Sequence, residues 1–191
     1  THVAATAIGL ADNGSGVSGI APECKFMPVQ VATADGSMLS TSVIDGILYA
    51  IYNGASVINV SLGPDVPDWF KAMPVANQQN YISHQDQRLS KVWERIYEIA
   101  DKHGCTIVVA AGNENVLSGY SSKARNDRVI VVSAVDQRSK KTNFSNFGEF
   151  PGWPTNYSTV SAPGVDIYNA VNRNNYTSLQ GTSMASPIVA G

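Results

Sequence analysis

The stretch GTSMASP, Gly181 to Pro187, sets a serine two residues after a glycine and four before a proline. Glycine permits a tight backbone approach, and proline is tolerated in the opening turn of a helix. Ser183 therefore stands where a loop passes into a helix. There its hydroxyl is open to attack a carbonyl, and its own N–H and the helix dipole can stabilise a developing oxyanion. Asn113, in AAGNEN (Ala110 to Asn115), sits at the mouth of a separate element and adds a side-chain amide donor to the same charge. Two donors from different elements describe an oxyanion hole, and the chemistry is nucleophilic acyl transfer. Taken alone, a serine in a glycine-rich stretch also serves as a turn residue or an N-cap. The motif departs from the G-x-S-x-G elbow of esterases and lipases, because Ala185 stands where the second glycine belongs.

The elements that must position these residues follow from hydrophobic pattern. KFMPVQV, ASVINVSL, CTIVVAAG and RVIVVSAV are short, Val- and Ile-rich and bounded by glycine or polar residues, as buried parallel strands are. Between the first two, SMLSTSVIDGILYAIYNG carries Val43, Ile44, Ile47, Leu48 and Ile51 at helical spacing and stops at Gly54. A second helix in SKVWERIYEIADKHG sets Leu89, Val92, Trp93, Ile96, Ile99 and Ala100 on one face and closes at Gly104. The alternation predicts an α/β fold of three layers, a doubly wound, mostly parallel sheet with helices on both faces. In such sheets chemistry sits beyond the carboxyl ends of the strands, where SLG (Ser61 to Gly63) and AAGNEN fall. The stretch Pro64 to Gln87 is polar and turn-rich and reads as an inserted surface excursion. FGEFPGWPTNYSTVSAPG, with its prolines, reads as a loop.

Composition narrows the function classes. Thirteen basic and 15 acidic residues give a net charge of −2, which offers no electrostatic footprint for nucleic acid. No apolar run is long enough for a membrane span, and the first residues lack a signal-peptide pattern. Cys24 and Cys105 are far apart and show no metal or redox spacing, so both are read as buried thiols, with an oxidised pair as the alternative.

Together the motifs resemble the subtilisin-like serine proteases, the subtilase family, over nearly the whole chain. THVA (Thr1 to Ala4) is similar to the tail of the family's histidine motif, SLG and AAGNE to its substrate and oxyanion segments, and GTSMASP to its serine motif; GVSGIAPECKFMPVQV and SAPGVDI match intervening patterns. The resemblance implies a serine endopeptidase in which Ser183 is the nucleophile and Asn113 the oxyanion donor. Residues 1–191 would be a partial catalytic domain, with the triad His and Asp upstream of Thr1 and the central Asp-bearing strand missing from between Lys25 to Val31 and Ser56 to Val60. His2 corresponds to the second His of the family motif, not to the base. His84 lies in the excursion and His103 at a helix end, and neither resembles a base. Without its base a triad serine is a weak nucleophile, so these residues alone are expected to be nearly inactive.

The resemblance further implies an extended peptide or protein substrate, added as a strand between Gly36, Ser37 and Met38 on one side and Ser61, Leu62 and Gly63 on the other. The first side-chain slot would be walled by Ala110, Ala111 and Gly112 with Gly119 near its base. Small uncharged walls predict an open slot for a large apolar side chain before the scissile bond. Asp12 and Asn13, in LADNGSGV, supply hard oxygen ligands for a structural calcium, or belong to a plain polar turn. No cofactor is needed for the chemistry, a propeptide is an expected partner, and the family implies a secreted or cell-envelope protein. Sequons at Asn59, Asn143, Asn156 and Asn175 are present, with Asn59 expected to be buried. The rival to an enzyme is a non-catalytic, peptide-binding descendant that keeps the cleft.

Overall fold

The computed structural model describes residues 1–85, 87–149 and 156–191. Its centre is a four-stranded parallel sheet, ordered β1 (Val57–Val60), β2 (Thr106–Ala110), β3 (Val129–Val135) and β4 (Val160–Pro163). Register pairs Ile58 with Ile107, Val108 with Ile130 and Val132 with Val160. The two-residue period of the strands divides their side chains between two layers. Ile107, Val109, Val129 and Val131 pack with Ile47 and Ile51 of α2 (Ser40–Tyr52) and with Trp93, Ile96 and Ala100 of α5 (Arg88–Lys102). Val108, Val132, Ala134 and Ala162 face the other way and pack with Ala185 of α6 (Thr182–Ala190). Helices thus cover both faces, as the alternation predicts. Strands buried on both sides are what near-continuous Val and Ile runs require.

Other elements flank this sheet. The helix α1 (His2–Ile8) lies against α6 and against an antiparallel pair, β5 (Ile167–Ala170) and β6 (Tyr176–Leu179). Two 3-10 turns, Ser118–Tyr120 and Ser122–Ala124, link β2 to β3.

The structure corrects the sequence reading at several points. Lys25 to Val31 forms no strand: it has no ladder partner among the described residues, and Phe26 is 58% exposed. An apolar run becomes a strand only where a neighbour accepts its N–H and C=O groups. The loop before β5 contains β4, because Val131, Ser133 and their neighbours offer an open ladder edge. Residues 150–155 of that loop and Asp86 of the excursion lie outside the described residues. Leu89 and Val92 are 48% and 44% exposed, so the buried stripe of α5 starts at Trp93. Cys105 is buried as expected but Cys24 is exposed, in a run of exposed residues from Glu23 to Pro28. Asn59 is half-buried.

The largest correction concerns residues 64–85. They are helical, with a short α3 (Asp68–Lys71) and α4 (Val75–His84). Val66, Phe70 and Ile82 are buried with Val116, Leu117 and Tyr157 as a second core. Phe70 is wholly inaccessible and meets the rings of Trp69, Tyr81 and Tyr120 at 4.5–5.9 Å. The excursion is helical and anchored by a small core of its own, with most of its other side chains at the surface.

Candidate active site

Ser183 is placed by the entry to α6. Gly181 precedes the helix at φ 147°, a conformation that favours glycine, and its N–H donates to the Gly164 carbonyl at the end of β4 (2.8 Å). The helix start is thereby tied to the sheet. Ser183 is the second helical residue, and its N–H is among the first-turn donors that have no acceptor within the helix. Farther along, Pro187 has no N–H to offer the Ser183 carbonyl one turn back. The Ser61 hydroxyl takes over that task, donating to the Ser183 carbonyl at 3.1 Å. Ser61 Oγ in turn accepts from Asn59 Nδ2 (2.9 Å) and lies 2.9 Å from Ser186 Oγ. Ser183 Oγ donates to the Ser61 carbonyl at 3.3 Å, so the SLG segment holds the serine from both ends.

Asn113 is aimed by the residue before the serine. The Thr182 N–H and hydroxyl donate to its Oδ1, at 2.8 and 3.0 Å. A backbone N–H can only donate, which fixes the oxygen of the amide toward Thr182 and turns Nδ2 away from it. Asn113 is exposed, and its Nδ2 has no hydrogen-bond acceptor among the described residues. The loop beneath it is clamped by a residue that sequence reading missed. Asn146 is 3% exposed; its Oδ1 accepts from the N–H groups of Glu114 and Val116, and its Nδ2 donates to the Ala111 carbonyl and the Glu114 carboxylate, at 2.9–3.1 Å. All four of its polar positions are satisfied. Gly112, at φ 109°, is required here, because a Cβ would fall 2.2 Å from Asn146 Nδ2. A buried Asn in NFSNFG, apart from any catalytic motif, carries no signal that a single sequence exposes.

The three histidines are engaged elsewhere. His2, 6% exposed, has Nε2 2.9 Å from the Ile167 carbonyl; His84 Nδ1 lies 2.8 Å from the Asn80 carbonyl and His103 Nδ1 2.9 Å from that of Ile99.

The expected cleft residues fall into two groups. Gly36, Ser37 and Met38 lie on an exposed turn, where Gly36 N–H donates to Thr33 and Asp35 accepts from the hydroxyls of Thr33 and Ser37. Those hydroxyls pull the Asp35 carboxyl down to about 2. Ser61 and Leu62 are half-buried and Gly63 is exposed. The Leu62 carbonyl accepts from Lys123 Nζ at 2.7 Å, and the same ammonium lies 6.0 Å from the Trp93 ring centroid. Burial holds Lys123 down to about 8. Ala110 is half-buried, while Ala111, Gly112 and Gly119 are all buried. At the expected base of the slot the Tyr157 ring packs on Gly119.

Asp12 and Asn13 stand on an exposed turn, with Asn13 Oδ1 already accepting from the Ser15 N–H at 3.0 Å. Among the described residues no three His, Cys, Asp or Glu side chains gather at one point. These donors fall well short of the about six to eight oxygens that calcium takes. A calcium held there would take its remaining oxygens from backbone carbonyls.

The subtilase family model matches residues 1–191. The chain belongs to the subtilase family. It is 36% identical to subtilisin DY of Bacillus licheniformis, over all of this chain and 60% of that protein, and 36% identical to a thermophilic serine proteinase of Bacillus sp. strain AK1, over all of this chain and 40% of that one. Thermitase of Thermoactinomyces vulgaris is 34% identical, with 58% of it covered. Among solved structures, a cold adapted subtilisin-like serine proteinase superposes with a TM-score of 0.74 at 28% identity, over the whole of this chain and 57% of that one. The subtilase chain spans 40–60% of the length of these curated relatives. No helix among the described residues is long and apolar enough to cross a membrane.

Proposed function

We propose that this subtilase is the nucleophile-bearing part of a serine endopeptidase. Ser183 Oγ attacks the peptide carbonyl, the Asn113 amide and the Ser183 N–H stabilise the oxyanion, and a histidine outside residues 1–191 takes the proton, oriented by an aspartate that also lies outside them. The observation that carries the reading is the orientation of Asn113: its side-chain oxygen is tied to Thr182, so the side-chain group left without a partner among the described residues is a donor, near the serine's own orphan N–H.

The substrate is an extended peptide lying along Gly36 to Met38 and Ser61 to Gly63, with Ala110, Ala111, Gly112 and Gly119 behind its first side chain. A propeptide and a place outside the cell or in its envelope accompany this reading. Because Ser183 Oγ donates to the Ser61 carbonyl and none of His2, His84 or His103 reaches it, residues 1–191 alone turn over peptides only marginally. That bond is also the observation that favours the second reading, a non-catalytic peptide binder.

Labelling with a fluorophosphonate, read by intact mass, separates the two. The full natural chain is expected to label once, residues 1–191 alone slowly or not at all, and the full-chain Ser183→Ala variant not at all. A folded full chain that fails to label would sink the protease reading and leave the peptide binder.

A further inference from the structure

The residues expected to wall the first side-chain slot are small, which on sequence grounds promised depth. The structure fills that depth. Tyr157 is 6% exposed, and its ring lies so close to Gly119 that a Cβ on the glycine would meet three ring carbons at 2.7 Å. The ring is not free to swing aside, because Gln79 Nε2, itself on a residue only 2% exposed, donates to the Tyr157 hydroxyl at 3.1 Å. Gln79 belongs to α4, whose neighbouring Gln78 Oε1 accepts the Leu117 N–H at 3.0 Å, at the head of the turn that contains Gly119. From the other side the Arg125 guanidinium donates to the carbonyls of Gly119 and Tyr120 and to Gln85 Oε1. Gly119 is thus fixed by the 64–85 subregion, by Arg125 and by an aromatic ring at once. Ala111 and Gly112, expected to wall the same slot, are buried, with Ala111 4% exposed.

We infer that Tyr157, held by Gln79, makes the first substrate pocket shallow, so that the enzyme selects a small side chain, Gly, Ala or Ser, before the scissile bond. The inference rests on the proposed protease reading and on its placement of Gly119 at the base of that pocket. It replaces the expectation of a large apolar residue. A phenyl or isobutyl group entering between Ala111 and Gly119 would have to displace a ring that is already packed with Val66, Phe70, Ile82, Val116 and Leu117 and hydrogen-bonded at its far end. A methyl or hydroxymethyl group needs no such displacement. Tyr157 acts here as a specificity residue, and Gln79 as the positioning residue behind it.

The test uses the full natural chain and two peptide substrates that differ only in Ala or Phe before the scissile bond, with fluorophosphonate labelling alongside. The wild type is expected to label and to favour Ala in kcat/KM by about tenfold or more, the scale on which a pocket discriminates by size. Tyr157→Ala opens the pocket and reverses that ratio. Gln79→Ala, which frees the ring without removing it, moves the ratio the same way by less. The ratio is insensitive to any fraction of unfolded variant, since misfolding lowers both rates together. A labelled wild type that prefers Phe overturns the inference, as does a labelled Tyr157→Ala variant with an unchanged ratio. A wild type that does not label overturns the protease reading instead, and this inference with it.

Discussion

Two regions of the molecule flank the same loop, and they are built on opposite plans. The segment from Gly181 to Pro187, with Asn113 and Ser61, is ordered by hydrogen bonds between residues inside short motifs: Thr182 to Asn113, Ser61 to Ser183, Gly181 to Gly164. Residues 64–85 are ordered by burial, with Phe70, Ile82 and Val66 filling a core that they share with Val116, Leu117 and Tyr157. Directional bonds fix where a reacting group points, whereas apolar packing fixes how much space remains beside it. In the proposed reading the first region sets the chemistry and the second the choice of side chain.

If the plans are separable, the largest effect on stability should leave the serine untouched. Phe70→Ala empties the centre of the second core and is expected to lower unfolding free energy by about 3–5 kcal/mol. Chemical denaturation measures that loss. The fluorophosphonate rate of the full-chain variant, corrected for the folded fraction, should stay within a factor of two or so of wild type, because the variant leaves the hydrogen bonds around Ser183 intact. A labelling rate that collapses with the core would show that the two regions are one. The complementary change is Asn113→Leu. It removes the free amide and the acceptor for Thr182, and is expected to reduce kcat by on the order of a hundred- to a thousandfold, the loss established for the oxyanion-hole asparagine of subtilisin itself. KM and the Ala-to-Phe ratio at the first pocket should hardly move.

The same contrast decides what the sequence could disclose. Ser183, Asn113 and SLG were legible one by one because each lies in a short motif, a glycine before a helix, an amide one residue from a tight turn, a strand end; that they belong together, across 69 and 122 positions, came from the family resemblance. The sheet was legible because strands buried on both faces must be continuously apolar. Three features were not. Lys25 to Val31 has the composition of a strand, but pairing depends on a neighbour the segment itself does not specify. Residues 64–85 look polar because Gln78 and Gln79 are polar, yet both are 2% exposed and spend their amides on Leu117 and Tyr157. Tyr157 reaches Gly119 across 38 positions of chain, a distance over which residue pattern carries no contact information.

A smaller effect probes the seam between the regions at Ser61. Replacing it with alanine leaves the Ser183 carbonyl without a donor, since Pro187 cannot supply one, and frees Asn59 and Ser186 from their shared partner. An unpaired carbonyl at that depth corresponds to about 1–2 kcal/mol, which should appear as roughly a tenfold drop in kcat as the start of α6 loosens. Ser61→Thr keeps the hydroxyl and should restore most of the rate.

Lys123 gives the smallest expected change and the one with a sign that depends on pH. Its ammonium is half-buried against Trp93 and bonded only to the Leu62 carbonyl, with no carboxylate partner among the described residues. Burial holds its pKa near 8, below the ordinary 10.5. Between these two values the unfolded chain binds more protons than the folded one, so stability rises with pH across that window, and below about 8 the full cost of burying the charge is present. Lys123→Met removes that cost together with the bond to Leu62. The net gain at pH 7 should be about 1 kcal/mol, because the two contributions largely offset. By pH 10 the wild-type lysine is neutral when folded, the cost is mostly gone, and the methionine variant should be no more stable than the parent. Denaturation curves at the two pH values measure the difference. A gain that persists unchanged at high pH would mean that methionine packs better against Trp93 and that the charge was never the cause. A gain that fades between pH 8 and 10.5 would mean that the Leu62 carbonyl is held by a buried charge at a cost in stability.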